Sequence, residues 1–117
     1  SPSILSQHIA KQVIKEKENE ILRKNRKLAK RNRKIVQEFI EDHGLNWSRP
    51  VGVNGLISIP EKFNSSKEFC KKFFNEKSVL LAPGSVFGYD RYFRIGFGLP
   101  TEELKEGLYR LSKFLEK

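Results

Sequence analysis

Arg94 is the residue whose type and position in this sequence most directly suggest chemistry. It interrupts a β-prone run in which Tyr92 and Phe93 precede it and Ile95 and Phe97 follow it. Because burying an isolated charge is prohibitively unfavourable, an arginine in such a run must be paired with an acid, reach solvent or bind an anion. Anion binding by Arg94 is therefore a candidate function, and a solvated or ion-paired strand residue is the alternative.

The other residue types that catalysis or metal binding requires do not come together in the sequence. His8 and His43 are far apart, and neither has a His, Cys or carboxylate neighbour at metal-ligand spacing, so we expect no metal site. Cys70 lies among phenylalanines with no histidine near it, which predicts a small buried side chain rather than a nucleophile. No Gly-rich phosphate-binding motif is present, and no set of Ser, His and Asp residues suggests a nucleophilic triad.

Two predicted strands and a loop would position Arg94. The apolar run from Val79 to Ala82 is bounded by turn residues and predicts a strand buried on both faces. The Pro83–Ser85 segment ends that strand, since proline cannot donate to a ladder and glycine tolerates turn conformations. The run around Arg94 forms the next strand, in which Gly96 and Gly98 allow another backbone or a ligand to come close.

This stretch resembles the C-terminal end of the fold-type I pyridoxal-phosphate-dependent aminotransferases (class I/II). The matching pattern is V-x-x-x-P-G-S-x-F-G, then Y-F-R-I-G-F-G, then P-T-E-E-L-x-E-G-L-x-R-L. The resemblance implies that Arg94 binds the α-carboxylate of an amino-acid substrate. A guanidinium suits this role because its parallel N–H donors match the spacing of carboxylate oxygens. Arg91, in the loop where such proteins often carry a glycine, is not assigned the role.

The resemblance also implies that this chain is part of a longer enzyme whose cofactor-binding residues lie in another domain. In this family the aldimine lysine, the phosphate cup and the aspartate facing the pyridine nitrogen belong to a large upstream domain. We therefore expect no catalytic and no cofactor-binding residue in this chain, which alone would be inactive. The full-length enzyme would bind pyridoxal phosphate and an amino-acid or 2-oxo-acid substrate, and would be a homodimer. Lyases and decarboxylating synthases share this C-terminal pattern.

Residues 1–43 predict one long helix, or two helices with a kink between them. The resemblance identifies this segment as the helix between the large and small domains. No glycine interrupts residues 3–43, and the start of the helix would pack on the large domain. An apolar stripe recurs every seven residues at Ile14, Ile21, Leu28 and Ile35. The stripe is typical either of a helix lying on its own domain or of a coiled coil, and Asn25 and Asn32 at a second seam position argue against a strong zipper.

The segment from Arg23 to Lys34 supports an alternative function, a basic helical module that binds nucleic acid. Eight of its twelve residues are Lys or Arg, and the whole chain carries a net charge of +9. However, no aromatic residue lies between Lys11 and Glu38 to stack on single-stranded bases. A solvated helix face is the favoured interpretation, so a nucleic-acid partner is not expected.

Residues 44–117 predict an α/β sandwich, and with the long helix they would form one C-terminal small domain. Ser65 and Glu68 form a capping box that begins a second helix, whose buried face would carry Phe69, Cys70, Phe73 and Phe74. A last helix follows Pro100, with leucines at helical spacing. The predicted fold class is α+β: a long N-terminal helix, then a small, mainly antiparallel sheet covered by helices.

Composition sets the remaining expectations. The 117 residues are 38% hydrophobic and 32% charged, which is typical of one globular domain. No apolar run is long enough to span a bilayer, so no membrane partner is expected, and the single cysteine fits a reducing compartment, so we expect a cytoplasmic protein. The chain begins Ser-Pro-Ser and contains no methionine, which predicts a processed protein or a piece of a longer one.

Overall fold

A computed structural model of the chain describes residues 4–48 and 54–116, with side chains from residue 10 onward. The elements, in chain order, are helix α1 (Ile4–His43), strand β1 (Asn54–Ser58), helix α2 (Ser66–Lys77), strand β2 (Ala82–Pro83), strand β3 (Tyr92–Gly96) and helix α3 (Thr101–Leu115). A single 3₁₀ turn, Gly84–Phe87, joins β2 to the loop before β3. The predicted α+β class, with a long helix before a small antiparallel sheet, is confirmed.

The sheet is three-stranded and entirely antiparallel, with β3 in its centre. On one side Arg94 pairs with Leu56 of β1, and on the other side it pairs with Ala82 of β2. Because side chains alternate between the two faces of a strand, Phe93 and Ile95 point into the core while Arg94 points away from it. The central strand therefore presents Arg94 on the face opposite the core.

Aromatic packing dominates the core beneath the sheet. Phe69 of α2 is fully buried, and its ring centroid lies 5.2 Å from that of Phe93 and 5.6 Å from that of Phe114. Phe63, in the loop before α2, completes the cluster with a centroid 5.0 Å from that of Phe69. Such pairs add to the burial energy of large apolar side chains, and they fix α2 and α3 against β3.

Helices α2 and α3 begin as their sequences predict. The Ser65 hydroxyl accepts a hydrogen bond from the N–H of Glu68, which confirms the predicted cap of α2. Helix α3 carries Glu102 and Glu103 in its first turn, where the helix dipole favours acids. Its leucines at 104, 108 and 111 are buried against the sheet, as their spacing predicts.

Among the described side chains of helix α1, from residue 10 onward, those that pack on this body belong to its C-terminal half. Val36 and Ile40 are at most 3% exposed, whereas Ile14 and Ile21 are more than half exposed. Of the stripe residues, Ile35 packs against the core, whereas Ile14 and Ile21 are uncovered. Whether residues 1–43 connect two domains stays a prediction, and the side chains at the start of the helix lie outside the described residues.

Two predictions about local packing are wrong. The strand predicted for residues 79–82 is reduced to Ala82–Pro83, and Leu80 is 80% exposed. The reason is that β2 is an edge strand paired only with β3, while Pro83 has no N–H to donate. Phe74, predicted on the buried face of α2, is 48% exposed because that face is already filled by its neighbours Phe69 and Phe73.

Candidate carboxylate-binding site

Arg94 lies at the middle of β3, between two half-buried apolar side chains on neighbouring strands. Leu56 and Ala82 are its cross-strand partners and therefore share its face of the sheet. Arg94 itself is exposed, although Phe93 and Ile95 on either side of it are buried. The sheet thus holds the backbone of Arg94 rigidly and leaves its guanidinium accessible from outside.

The Arg94 guanidinium has one aromatic neighbour and no acidic one among the described residues. Its Cζ lies over the ring of Phe87, 4.9 Å from the ring centroid. Within residues 10–48 and 54–116, no carboxylate lies within 4.0 Å of it, and none of its N–H groups donates to another side chain or carbonyl. Of the alternatives that the sequence left open for Arg94, ion pairing within this part of the chain is therefore excluded.

A groove of about 380 Å³ borders Arg94 at the edge of the sheet. Its walls are mostly apolar side chains: Leu80, Leu81, Ala82, Leu99 and Leu108. Glu103 is the single acidic residue among those that line it. Gly96 and Gly98 also line the groove, as expected for glycines that allow a ligand to come close.

Arg91, the neighbouring arginine, has a structural role. Its two terminal nitrogens donate hydrogen bonds of 2.6 Å to the carbonyl oxygen of Phe63 and 3.1 Å to that of Pro60. These bonds join the loop before β3 to the loop before α2. Arg94 is therefore the arginine of this segment whose donors remain free for an external anion.

The basic segment Arg23–Lys34 lies along the outer face of α1. All eight of its lysines and arginines are exposed, and one of them, Lys24, forms an ion pair of 3.3 Å with Glu20. Asn32 differs from its neighbours because it is completely buried. The cations thus lie on the solvent side of the helix, as both a solvated face and a nucleic-acid-binding face require. The expectation that no nucleic acid binds there stays a prediction.

The remaining titratable candidates do not form a site. Cys70 is 6% exposed, and burial raises the pKa of its thiol to about 11, which suits a core residue rather than a nucleophile. His43 has its ring nitrogens 2.8 Å from the carbonyl oxygen of Phe39 and 3.1 Å from the hydroxyl of Ser112. In the described part of the chain, no three His, Cys, Asp or Glu side chains are placed to hold a metal ion; the His8 side chain lies outside that part.

Pyridoxal phosphate, the cofactor that the resemblance implies, needs a lysine for its aldehyde, and the groove does not offer one. No lysine among the described residues lines the groove beside Arg94, and nearly all of them project from exposed helix surfaces. The described residues of this groove therefore do not fit the cofactor.

Within residues 4–48 and 54–116, none of the helices combines the length and apolar character needed to cross a membrane.

Sequence reasoning missed the roles of two residues, one that contacts Arg94 and one that anchors helix α1. Phe87 contacts the guanidinium, and the only sequence signal for it is its place in the P-G-S-x-F-G pattern. Asn32 fixes α1 to the loop that follows β3, by donating to the carbonyl oxygens of Phe97 (2.8 Å) and Leu99 (2.7 Å). Its signal was a polar residue inside an apolar stripe.

Comparison with known proteins places this geometry in a family. The profile described as "Aminotransferase class I and II" matches residues 1–111. A (5-formylfuran-3-yl)methyl phosphate transaminase from Methanocaldococcus jannaschii is 33% identical over 119 aligned residues, which span 100% of this chain and 31% of the relative. An aspartate aminotransferase from Pyrococcus abyssi is 33% identical over 95 residues, which span 79% of this chain and 24% of the relative.

Solved structures agree with the sequence comparisons. A PLP-dependent aminotransferase from Streptococcus suis superposes with a TM-score of 0.78 and 35% identity, covering 85% of this chain and 27% of its own. An aromatic aminotransferase from Pyrococcus horikoshii superposes with the same TM-score, 0.78, and 28% identity, covering 86% of this chain and 28% of its own. The chain spans less than a third of the length of each of these relatives.

Proposed function

Because the chain belongs to the class I and II aminotransferase family, we propose that it forms the C-terminal small domain of a longer aminotransferase and binds the α-carboxylate of the amino-acid substrate through Arg94. The observation that carries this proposal is the Arg94 guanidinium itself, which is exposed and lacks an acidic partner among the described residues. An unpaired guanidinium on a rigid central strand is suited to an external anion. A carboxylate fits best, because two of its oxygens match two parallel N–H donors.

The role of Arg94 in catalysis would be to bind and to orient. Two parallel hydrogen bonds fix both the position and the rotation of a planar carboxylate, so the reacting carbon is held in one geometry. The apolar walls of the neighbouring groove lower the local dielectric constant, which strengthens these charged bonds. We further propose that the remainder of the longer enzyme holds pyridoxal phosphate, forms the homodimer and acts in the cytoplasm.

The size of the natural polypeptide tests the domain assignment. Antibodies raised against this chain should detect a protein several times larger than 13.6 kDa in extracts of the source organism. A product of 13.6 kDa would overturn the proposal that the chain is one domain of a longer enzyme. The purified chain, mixed with pyridoxal phosphate and then desalted, should retain none of the cofactor.

Substitution of Arg94 in the longer enzyme tests the carboxylate site. Arg94→Lys keeps the charge but removes the bidentate geometry, so we expect kcat/KM for the amino acid to fall about 10- to 100-fold. An amine substrate that has the same side chain but lacks the carboxylate should have the same kcat/KM in Arg94→Lys as in the wild-type enzyme. Arg91→Lys is the matched control, because Arg91 bonds only to backbone carbonyls in this structure. Unchanged amino-acid turnover in Arg94→Lys would show that the assignment is wrong.

A further inference from the structure

We propose that Phe87 is a positioning residue for Arg94: its ring orients the guanidinium toward the incoming carboxylate. This inference rests on the proposed function of Arg94 and adds a residue that determines how well the site is formed. The Cζ of Arg94 lies over the Phe87 ring at 4.9 Å from the centroid, within the range of an attractive cation–π contact. Phe87 is 44% exposed and is absent from the buried core, so its main described interaction is with Arg94.

The contact matters because no other described residue fixes the end of the Arg94 side chain. Arginine has several rotatable bonds, and an unrestrained guanidinium loses much conformational freedom when it binds a ligand. Stacking on an aromatic face restricts these rotations before the ligand arrives. The contact with the ring face also uses no oxygen acceptor, so the N–H donors in the guanidinium plane remain available to a carboxylate.

The turn that carries Phe87 is held in one conformation by its glycines. A Cβ atom at Gly84 would overlap the carbonyl oxygens of Tyr89 and Tyr92, so only glycine fits at the first position of the turn. Gly88, directly after Phe87, has a φ of +83°, and its N–H donates to the carbonyl oxygen of Ser85 at 3.1 Å. The 3₁₀ turn is thus closed tightly against the chain that leads into β3.

A buried serine anchors both ends of this loop to helix α2. Ser66 is completely buried, and its Oγ accepts a hydrogen bond of 3.1 Å from the N–H of Ser85. The same Oγ donates to Oδ1 of Asp90 at 3.1 Å, and the Ser66 N–H donates to that oxygen at 3.2 Å. Ser85 precedes Phe87 in the sequence and Asp90 follows it. The loop that carries the ring is therefore fixed to α2 on both sides of Phe87.

The kinetic test uses the longer enzyme and replaces the ring by an aliphatic side chain. Phe87→Leu removes the π face, and we expect the KM for the amino acid to rise about two- to fivefold while kcat stays within twofold. The amine that lacks a carboxylate should react with unchanged kinetics. Phe87→Tyr restores an aromatic face and should restore the KM. Val86→Ala is the matched control, because Val86 is an exposed neighbour in the same turn.

The spectroscopic test uses the chain itself and does not depend on activity. In ¹⁵N-labelled protein the side-chain Nε–H proton of Arg94 should be shifted upfield by the ring current of Phe87. Phe87→Leu should remove this shift, and Val86→Ala should preserve it. An Arg94 resonance that is identical in the wild-type and Phe87→Leu chains would overturn the proposed contact.

Comparison of the Arg94→Lys and Phe87→Leu variants separates this inference from the proposed function on which it rests. If Arg94→Lys impairs amino-acid turnover and Phe87→Leu leaves the KM unchanged, Arg94 binds the carboxylate without help and the positioning role is wrong. If Arg94→Lys has no effect, the carboxylate site is wrong, and the positioning role fails with it. A raised KM in Phe87→Leu that Phe87→Tyr reverses supports both.

Discussion

The hydroxyl of Thr101 donates a hydrogen bond of 2.8 Å to Oδ1 of Asn32, joining two residues that are 69 positions apart in the chain. Asn32 also donates from its amide nitrogen to the carbonyl oxygens of Phe97 and Leu99. The amide is completely buried, and each of its two polar atoms has a partner. One side chain thus connects α1, the loop after β3 and the first residue of α3.

Removing this amide should destabilise the chain strongly. Asn32→Ala leaves two carbonyls and a hydroxyl without their partner in a buried place, so we expect the free energy of unfolding to fall by about 2–4 kcal/mol. Urea denaturation followed by circular dichroism measures the change. Asn25→Ala, one heptad earlier at an exposed position of the same helix, should change it by no more than about 0.5 kcal/mol. Equal effects of the two substitutions would contradict the anchoring role.

The turn before β3 should tolerate no side chain at its first position. Gly84→Ala places a Cβ against the carbonyl oxygens of Tyr89 and Tyr92, and we expect a loss of at least about 3 kcal/mol in the free energy of unfolding. Gly98→Ala is the control, because nothing lies within 4 Å of the added atom. Chemical denaturation of both variants provides the comparison, and a Gly84→Ala chain as stable as Gly98→Ala would refute the close approach.

Glu68 should make stability depend on pH below neutrality. Its pKa is lowered from an ordinary 4.5, first by the hydrogen bond from Lys72 and then by that from the N–H of Asn64. A carboxyl whose pKa falls on folding stabilises the folded chain above its unfolded pKa, and this contribution is lost as the pH falls through the folded pKa.

The variant Glu68→Gln isolates this contribution. Its melting temperature should be lower than that of the wild type at pH 7, and the difference should shrink as the pH is taken below 4.5. Glu61→Gln, which changes an exposed acid a few residues earlier, serves as the control for the loss of one negative charge. A difference that stays constant between pH 7 and acid pH would argue against the ionised form as the stabilising one.

The Cys70 thiol should be unreactive in the folded chain. Its ionisation should also lower the stability of the folded chain at alkaline pH. Burial raises the pKa of its thiol from 9.0 to about 11, so the folded state disfavours the thiolate. Stability contributed by the neutral thiol is present below pH 9.0 and should decline as the pH rises toward 11. Thiol titration with a chromogenic disulfide at pH 8 should be slow for the native chain and fast in denaturant. Rapid labelling of the native chain would contradict the burial.

The sequence predicted the elements of this fold better than their contacts. The cap formed by Ser65 and the leucine spacing of α3 are local signals, and both helices begin within a residue or two of the predicted position. The apolar run before Pro83 predicted a strand buried on both faces, but the order of strands in the sheet makes it an edge strand, and no local pattern encodes that order. Phe74 was misplaced for a similar reason, because its helix has more apolar residues than the core can cover.

In the candidate site, too, the sequence predicted the secondary structure but not the tertiary contacts. The β-prone residues around Arg94 placed it on a strand, and the alternation of side chains places it on the face away from the core. Its contact with Phe87 depends on how a four-residue turn folds back over the sheet, which is a tertiary property. The role of Asn32 also depends on two partners in the loop after β3 and one at the start of α3, all distant in the sequence. The sequence alone therefore showed only that a polar residue interrupts an apolar stripe.

Helix α1 is attached to the rest of the domain near its C-terminal end, and its other end extends away from these contacts. Asn32 fixes it at one point and His43 contacts Ser112 near its end, so these two contacts set the direction of its axis. Lys11 lies roughly 30 Å along the axis from Asn32, and a tilt of about 5° at that point would carry it about 3 Å sideways. A small rotation of the body that carries Arg94 would therefore displace the far end of the helix by a few ångström.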